Sequence, residues 1–259
     1  MKEPLVVRLQ EAAAVPDAIE PVLRDHADRS ADPGADGKAL WHSFSERIRH
    51  GRTCKQWLLD VLLTTSGGRC AYCEAGEPTT VEHFWPKHDY PEKAFVLRNL
   101  MPVCVKCNGE KSNEFPLDDA GHPVLLDLYS AAEDPVSFFA YTRDGGIGPL
   151  QTGPPGARAR EVSRIVNLTR QWIADRRRET WALLTGCCQV YQQNPTQETA
   201  ALMAAILTEG HRGTMRYLVN HAPEVGRVVS RAAREDPCVR AVIEAPPYAW
   251  PAGAGGSSP

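Results

Sequence analysis

The sequence lacks any apolar run that approaches the roughly 18 residues needed to span a membrane. Near Met1 it also lacks the hydrophobic segment that is typical of a secretory leader. Both absences lead us to expect a cytoplasmic protein. Eight cysteines in a secreted chain would suggest disulfides, but in a reducing cytoplasm paired cysteines favour a metal site.

The chain also has little net charge of either sign. Its formal charge is only −3 and its isoelectric point is near 6.2. This balance excludes a protein that binds nucleic acid through its overall positive charge. Any contact with nucleic acid must come from local basic patches, or from a partner that brings the substrate. At 259 residues the chain can form one large domain or two small ones.

Four of the cysteines stand in two CxxC pairs, Cys70/Cys73 and Cys104/Cys107. Two such pairs usually present four thiolates to Zn²⁺ in a tetrahedral arrangement. We therefore predict a closed structural zinc site that joins a β element to the start of a helix. The alternative is four unrelated buried thiols. The remaining cysteines fit no ligand spacing and are expected to be buried apolar groups; they are Cys54, Cys187, Cys188 and Cys238.

The segment between and after the pairs contains residues that could perform phosphodiester hydrolysis. His83 could act as a general base, because a neutral imidazole can take a proton from water at pH 7. Glu82 and Asn108 offer two oxygen ligands, which suit Mg²⁺ or Mn²⁺. Each residue also has an ordinary alternative: a packed or exposed ring for His83, a solvent-facing carboxylate for Glu82, and a helix cap for Asn108.

Basic residues provide a second signal. Lys87 and Lys111 lie nearest the candidate catalytic stretch and are candidates for binding the substrate phosphate. Between Ala157 and Arg178 there are seven arginines against two acidic residues. These arginines could form a solvated helix face, or they could contact a phosphate backbone in a salt-sensitive way.

Local patterns predict a mainly α-helical protein with a small strand–strand–helix core. The β-branched residues 79–81 predict a strand that leads into Glu82 and His83, and 105–113 should begin a helix. We expect a helical region over 1–66, the core over 67–116, a hairpin and more helices over 117–246, and a disordered tail over 247–259.

Further patterns predict individual elements within the two helical regions. Thr53 should cap a helix that Gly67-Gly68 ends, and residues 39–49 and 157–193 should also be helical. Residues 137–142 and 147–150 should form a short hairpin. An apolar stripe on the long helical segment is expected to be buried; its members are Ile165, Leu168, Trp172, Leu183, Cys187 and Val190.

The motifs EHFWPK, NL and CVKCNGEK resemble the signature of the HNH, or ββα-metal, endonucleases. The resemblance implies that Glu82 binds the catalytic metal and that His83 is the general base. It further implies that Asn99 braces the loop that holds His83, and that Asn108 is the second metal ligand. The sequence departs from the commonest form of the signature, because Asn108 stands where a histidine is more usual.

The wider arrangement over roughly residues 54–180 is similar to the PtuB-like nucleases of Septu and related retron-associated systems. This resemblance implies an anti-phage effector that works with an ATPase partner of the ABC/SMC type, and it favours DNA over RNA as substrate. A non-catalytic zinc module that binds nucleic acid or protein is the alternative. That alternative explains the four cysteines, but it makes the match of Glu82, His83, Asn99 and Asn108 to the motif a coincidence.

Overall fold

The computed structural model describes residues 14–244, which contain ten α-helices and three two-stranded antiparallel sheets. This architecture confirms the predicted fold class, mainly α with a small strand–strand–helix core. The described residues fall into two compact units, residues 14–130 with 165–167 and residues 131–164 with 168–244. The described part of the chain has no helix with the length and apolar character of a membrane span.

The first unit contains four helices and two of the strand pairs. In chain order its elements are α1 (Glu20–Ser30), α2 (Gly37–Ser45), β1 (Ile48–Arg49), β2 (Arg52–Thr53), α3 (Cys54–Ser66), β3 (Thr80–His83), β4 (Leu100–Val103) and α4 (Val105–Lys111). The prediction of a helix over 39–49 was wrong at its end, because α2 stops at Ser45 and β1 pairs with β2 instead. The turn between these strands uses positive φ angles at His50 and Gly51, 48° and 76°.

Helix α3 has the caps that its sequence predicts. The Thr53 side chain accepts a hydrogen bond from the backbone N–H of Gln56, and the Gln56 side chain accepts one from the backbone N–H of Thr53. This reciprocal pair satisfies two backbone donors that the first turn leaves without a helical partner. Gly67 ends the helix in the left-handed conformation, with φ 58°. The chain then enters the first cysteine pair.

One hydrophobic core joins the three N-terminal helices to the β3–β4 hairpin. Its fully buried members include Ile19, Phe44, Leu58, Leu62 and Leu100. Burying side chains of this size stabilises the fold by roughly 1.5–3 kcal/mol each. The helices therefore hold the hairpin in place. The predicted divisions at 66/67 and 116/117 stay predictions, and the predicted tail over 247–259 lies outside the described residues.

The second unit contains a hairpin and a helical bundle. Its elements are β5 (Phe139–Tyr141), β6 (Ile147–Pro149), α5 (Gly153–Ile165), α6 (Gln171–Gln193), α7 (Gln197–Glu209), α8 (Arg212–His221), α9 (Pro223–Glu235) and α10 (Pro237–Glu244). The predicted hairpin is confirmed, and the chain breaks between α9 and α10 at Pro237. The helix expected over 157–193 is instead two helices, because the chain turns at Asn167, where φ is 47°.

The apolar stripe expected on the long helical segment was only partly right. Trp172, Leu183 and Val190 are 39%, 50% and 48% exposed, whereas Ile165, Leu168 and Cys187 are buried. The buried face of α6 runs instead through Ile173, Arg177, Thr180, Leu184, Cys187, Cys188 and Tyr191. A helix face about one residue away from the predicted stripe therefore meets the bundle. Cys54 and Cys188 are buried as expected, but the prediction for Cys238 was wrong, because it is exposed.

Candidate active site

The four paired cysteines converge on one buried point. Their Sγ atoms all lie within 4.8 Å of one another, and those of Cys73 and Cys104 are 3.9 Å apart. A tetrahedral zinc ion with Zn–S bonds of about 2.3 Å places its sulfurs about 3.8 Å apart. The cluster therefore fits a structural metal ion such as zinc, and the alternative of four unrelated thiols is wrong.

Local hydrogen bonds favour thiolates at two of the four cysteines, Cys73 and Cys104. The backbone N–H of Gly76 donates to Cys73 Sγ over 3.3 Å, and that of Cys107 donates to Cys104 Sγ over 3.4 Å. The neighbouring thiols, Cys107 first, hold the pKa of Cys104 well below its ordinary value. Because a metal-bound cysteine is a thiolate, this environment suits a metal ligand.

The strand–strand–helix order predicted from the sequence is present in β3, β4 and α4. The strands pair antiparallel, with Glu82 opposite Met101 and His83 opposite Leu100. A cavity of about 370 Å³ opens beside them. It is lined by Thr80, Glu82, His83, Pro86, Lys87, Val105, Asn108, Gly109, Ser112 and Asn113. The structure thus brings the candidate base, both candidate metal ligands and one candidate phosphate contact to a single cavity.

His83 is held tightly on its inner side. It is 3% exposed, and its Nε2 lies 3.0 Å from the backbone carbonyl oxygen of Ala94. A carbonyl can only accept, so Nε2 carries the proton and Nδ1 is the ring atom that can accept one. The Trp41 ring packs against the imidazole in an edge-to-face arrangement, with centroids 4.4 Å apart. Burial lowers the pKa of His83 well below its ordinary value, which keeps the ring neutral.

Asn99 occupies a bracing position beside His83. Its side-chain oxygen accepts from the backbone N–H of Trp85 over 2.7 Å, and its amide nitrogen donates to the carbonyls of Trp85 and Lys93 over 3.0 and 2.9 Å. The side chain is buried and does not line the cavity. These three hydrogen bonds join Asn99 to Trp85 and Lys93, which lie near the two ends of the segment that follows His83.

Glu82 and Lys111 form a buried ion pair. The Lys111 Nζ lies 2.7 Å from Glu82 Oε1, and it also donates to the backbone carbonyl of His83 over 3.0 Å. Burial raises the pKa of Glu82, and the Lys111 charge opposes that rise. Lys111 itself is 0% exposed. The structure therefore places Lys111 in an internal contact, contrary to the expectation that it reaches a substrate phosphate.

Asn108 faces the cavity from the middle of α4. Its amide nitrogen donates to Thr80 Oγ1 over 2.9 Å, which leaves the amide oxygen as a ligand atom. The interpretation of Asn108 as a helix cap was wrong, because Cys104 caps α4 and its Sγ accepts from the backbone of Cys107. The side chain is fixed by this bond and lines the same cavity as Glu82.

Lys87 provides the accessible positive charge of the cavity. It is half-buried, and burial lowers its pKa, while the Glu82 carboxylate raises it and the ammonium groups of Lys111 and Lys38 lower it further. Two ammonium groups, of Lys87 and Lys111, thus accompany one carboxylate. This excess of positive charge favours an anionic substrate such as a phosphodiester.

The donor set of the cavity fits a hard divalent cation. Glu82 and Asn108 supply one anionic and one neutral oxygen, the ligand type that Mg²⁺ and Mn²⁺ prefer. The Tyr72 hydroxyl is buried and has no hydrogen-bond partner among the described residues. Burial first, and then the nearby charge of Glu82, raises the pKa of Tyr72.

The arginines of α5 and α6 are mostly engaged within the protein. Four of them form ion pairs with N···O distances of 2.6–2.9 Å: Arg158–Glu133, Arg164–Glu161, Arg176–Glu179 and Arg178–Asp175. Arg177 is buried and donates to the backbone carbonyls of Gly145 and Leu168. The contacts favour an ion-paired, solvated helix face over a phosphate-binding stripe.

Several residues of the site carry no motif signal. Trp41 of α2 packs against His83, and Gly37 at the start of α2 lies close to the backbone of Lys87. Thr80 orients Asn108. The sequence pattern placed Trp41 only within an amphipathic helix, and nothing in it indicated a contact with His83. Long-range packing decides these contacts, so a motif that is local in sequence cannot predict them.

Comparison with known proteins supports the local assignment. Residues 70–114 match the HNH endonuclease family. The chain is also 31% identical over 96 residues to the Septu protein PtuB of Bacillus thuringiensis, an alignment that covers 35% of this chain and 36% of that protein. The alignment therefore spans about a third of the relative's length. The predicted resemblance of this segment to HNH endonucleases and the predicted similarity to PtuB are confirmed.

Proposed function

We propose that this protein is a divalent-metal-dependent endonuclease that hydrolyses phosphodiester bonds of nucleic acid. The observation that carries the proposal is the single cavity lined by Glu82, His83, Lys87 and Asn108 within the HNH-matching segment. A zinc module that only binds a partner would have no need for these four residues around one cavity. The non-catalytic alternative is therefore not favoured.

The residues of the cavity have complementary roles in this proposal. Neutral His83, with Nε2 fixed by the Ala94 carbonyl, accepts a proton from the attacking water at Nδ1. Lys87 binds and orients the substrate phosphate. Glu82 and Asn108 hold Mg²⁺ or Mn²⁺, which when bound supplies positive charge to the phosphate and the leaving oxygen. Asn99 keeps the segment after His83 in place, and the zinc site holds α4 against the strands.

The biological setting is also a proposal. The similarity to Septu protein PtuB, together with the motif arrangement over residues 54–180, supports a role as the nuclease effector of a bacterial anti-phage system. The same resemblance supports DNA as the substrate, an ATPase partner of the ABC/SMC type and a cytoplasmic location.

The test is nicking of supercoiled plasmid by the purified protein, with Mg²⁺ or Mn²⁺ and with a chelator as the blank. We expect His83→Ala to retain zinc and fold and to lose at least about 100-fold in cleavage rate, because a positioned general base contributes roughly that much. His88→Ala, which removes an exposed histidine five residues away, is the matched control and should cleave normally.

The assay is run with and without an ATPase partner of the ABC/SMC type, since activation by such a partner is part of the proposal. Cleavage by His83→Ala within about tenfold of the wild-type rate would exclude His83 as the base. Absence of metal-dependent cleavage under both conditions would contradict the nuclease proposal as a whole.

A further inference from the structure

Lys111 is the completely buried ammonium group of the first unit, and its position does not suit contact with a substrate. It is the last residue of α4 and is 0% exposed. We infer that Lys111 is a positioning residue that clamps the metal-ligand carboxylate of Glu82 and the main chain of His83 to α4. The inference rests on the proposed function, because that function assigns metal binding to Glu82.

The geometry of the clamp involves two adjacent residues of β3. The Lys111 Nζ donates to Glu82 Oε1 over 2.7 Å and to the carbonyl oxygen of His83 over 3.0 Å. Asn108, the second proposed ligand, lies one helical turn before Lys111 on the same helix. One ammonium group therefore ties the helix that carries Asn108 to the strand that carries Glu82, in addition to the bond between Asn108 and Thr80. The ion pair uses Oε1, so Oε2 is the carboxylate oxygen left for a cation.

Burial makes this contact strong and specific. The side chains of Glu82 and Lys111 are 5% and 0% exposed, so water and salt screen the pair poorly. Charge-assisted hydrogen bonds of this kind are short and directional. Removing one partner of a buried pair is unfavourable because the remaining charge loses its compensation.

Lys87 and Lys111 have different roles, substrate binding and positioning, which the sequence alone could not distinguish. Lys87 lines the cavity and is only half-buried, so a phosphodiester can reach it. Lys111 is turned towards Glu82 and His83 and is absent from the cavity lining. The two lysines therefore form a matched pair for experiment: one substitution should affect the cation site, and the other should affect nucleic-acid binding.

The experiment compares Lys111→Met with Lys87→Met in the full zinc-loaded chain. Mn²⁺ affinity is measured by calorimetry or by the electron paramagnetic resonance signal of free Mn²⁺, and affinity for a short DNA duplex is measured separately. We expect Lys111→Met to weaken Mn²⁺ binding at least tenfold while zinc content stays unchanged. Lys87→Met should leave Mn²⁺ affinity within threefold of wild type and weaken DNA binding at least fivefold. The inference is overturned if Lys111→Met binds Mn²⁺ within threefold of wild type.

A melting comparison covers the case in which Lys111→Met folds poorly. The double variant Glu82→Gln/Lys111→Met carries neither charge, so it should melt at a higher temperature than Lys111→Met alone. Equal melting temperatures would show that the two residues are not coupled and would overturn the clamp. Wild-type protein that neither binds Mn²⁺ nor cleaves DNA would instead remove the proposed function, while the melting comparison still decides whether the clamp exists.

Discussion

At the scale of single residues, the surroundings of His83 explain why a histidine can serve as a base here. The ring is buried, and its Nε2 proton is committed to the Ala94 carbonyl. Trp41 covers the ring from α2. These contacts restrict both rotation of the ring and tautomer exchange, so Nδ1 stays the unprotonated nitrogen. The same burial makes protonation unfavourable in the folded state.

This environment predicts a pH dependence of stability. The pKa of His83 is lowered in the folded protein, so below about pH 6.5 the unfolded chain binds a proton that the folded chain resists. The free energy of unfolding should therefore fall as the pH drops below 6.5, by up to about 1.4 kcal/mol per pH unit for this group. Urea denaturation between pH 5 and 7.5 measures it, and His83→Gln should abolish that share of the decline.

A control for this measurement is His88→Gln, which removes an exposed histidine from the same loop. Its stability should follow the wild-type pH profile. If His83→Gln and the wild type showed parallel profiles, burial would not be what keeps His83 neutral.

At the scale of elements, α2 supports the loop that carries Lys87. Gly37 begins this helix, and a Cβ atom at that position would lie 2.0 Å from the Lys87 carbonyl oxygen. Asp36 caps the helix by accepting from the backbone N–H groups of Lys38 and Ala39. The first turn of α2 therefore packs directly against the backbone of Lys87, and only glycine fits at position 37.

We predict that Gly37→Ala destabilises the protein by roughly 1–3 kcal/mol, the usual effect of overpacking, and that it impairs cleavage by moving Lys87. Chemical denaturation and the plasmid assay measure the two effects. Gly186→Ala is the matched control, since a Cβ there would meet no atom within 4 Å. Gly186 lies within α6, so that change should stabilise by up to about 1 kcal/mol. Equal stability of the two variants would contradict the close contact.

The sequence predicted those elements whose signals are local. The cap at Thr53, the end at Gly67 and the strand before Glu82 each depend on residues within a few positions of one another. The spacing of the four cysteines likewise restricts the chain so strongly that the cluster could be expected without a structure. The convergence of Glu82 and Asn108 follows from the same restriction, because the second cysteine pair fixes where α4 begins.

The remaining features depend on contacts between distant segments. The sequence indicates Lys111 as a phosphate contact because it lies close to the catalytic stretch, but its burial against Glu82 is decided by the packing of α4 on β3. Trp41 approaches His83 across more than forty positions of sequence. The buried face of α6 was misplaced because Arg177 and Thr180 occupy it, and polar residues do not enter an apolar pattern.

At the scale of the whole molecule, each compact unit has a hydrophobic core of its own. The core of the second unit is built around Leu184, Met203, Leu218 and Val229, and it includes none of the four clustered cysteines. The zinc-type site therefore belongs to the first unit alone. Loss of the metal should affect the two units unequally.

We predict that Cys70→Ser loses bound zinc and unfolds β3, β4 and α4, because zinc binding and folding are coupled in sites of this kind. Much of the helical circular dichroism should persist, since the helices of the second unit do not depend on the cluster. Metal analysis and thermal melting measure both effects. Cys238→Ser, which changes an exposed cysteine outside the cluster, should keep zinc and melt as the wild type does. Full zinc content in Cys70→Ser would disprove the assignment.

The cysteine cluster has a further consequence in terms of polymer statistics. Cys73 and Cys104 are 31 positions apart, so an ion bound to both closes a ring in the chain. By analogy with a disulfide, a ring of this size removes unfolded-state entropy equivalent to roughly 4 kcal/mol. Doubling the ring would change that figure by only about 0.6 kcal/mol. Chain entropy therefore sets little limit on the length of the segment from Lys87 to Arg98. Its contacts set the limit instead, because the Ala94 carbonyl must still reach His83 and Asn99 must still reach the backbone beyond it.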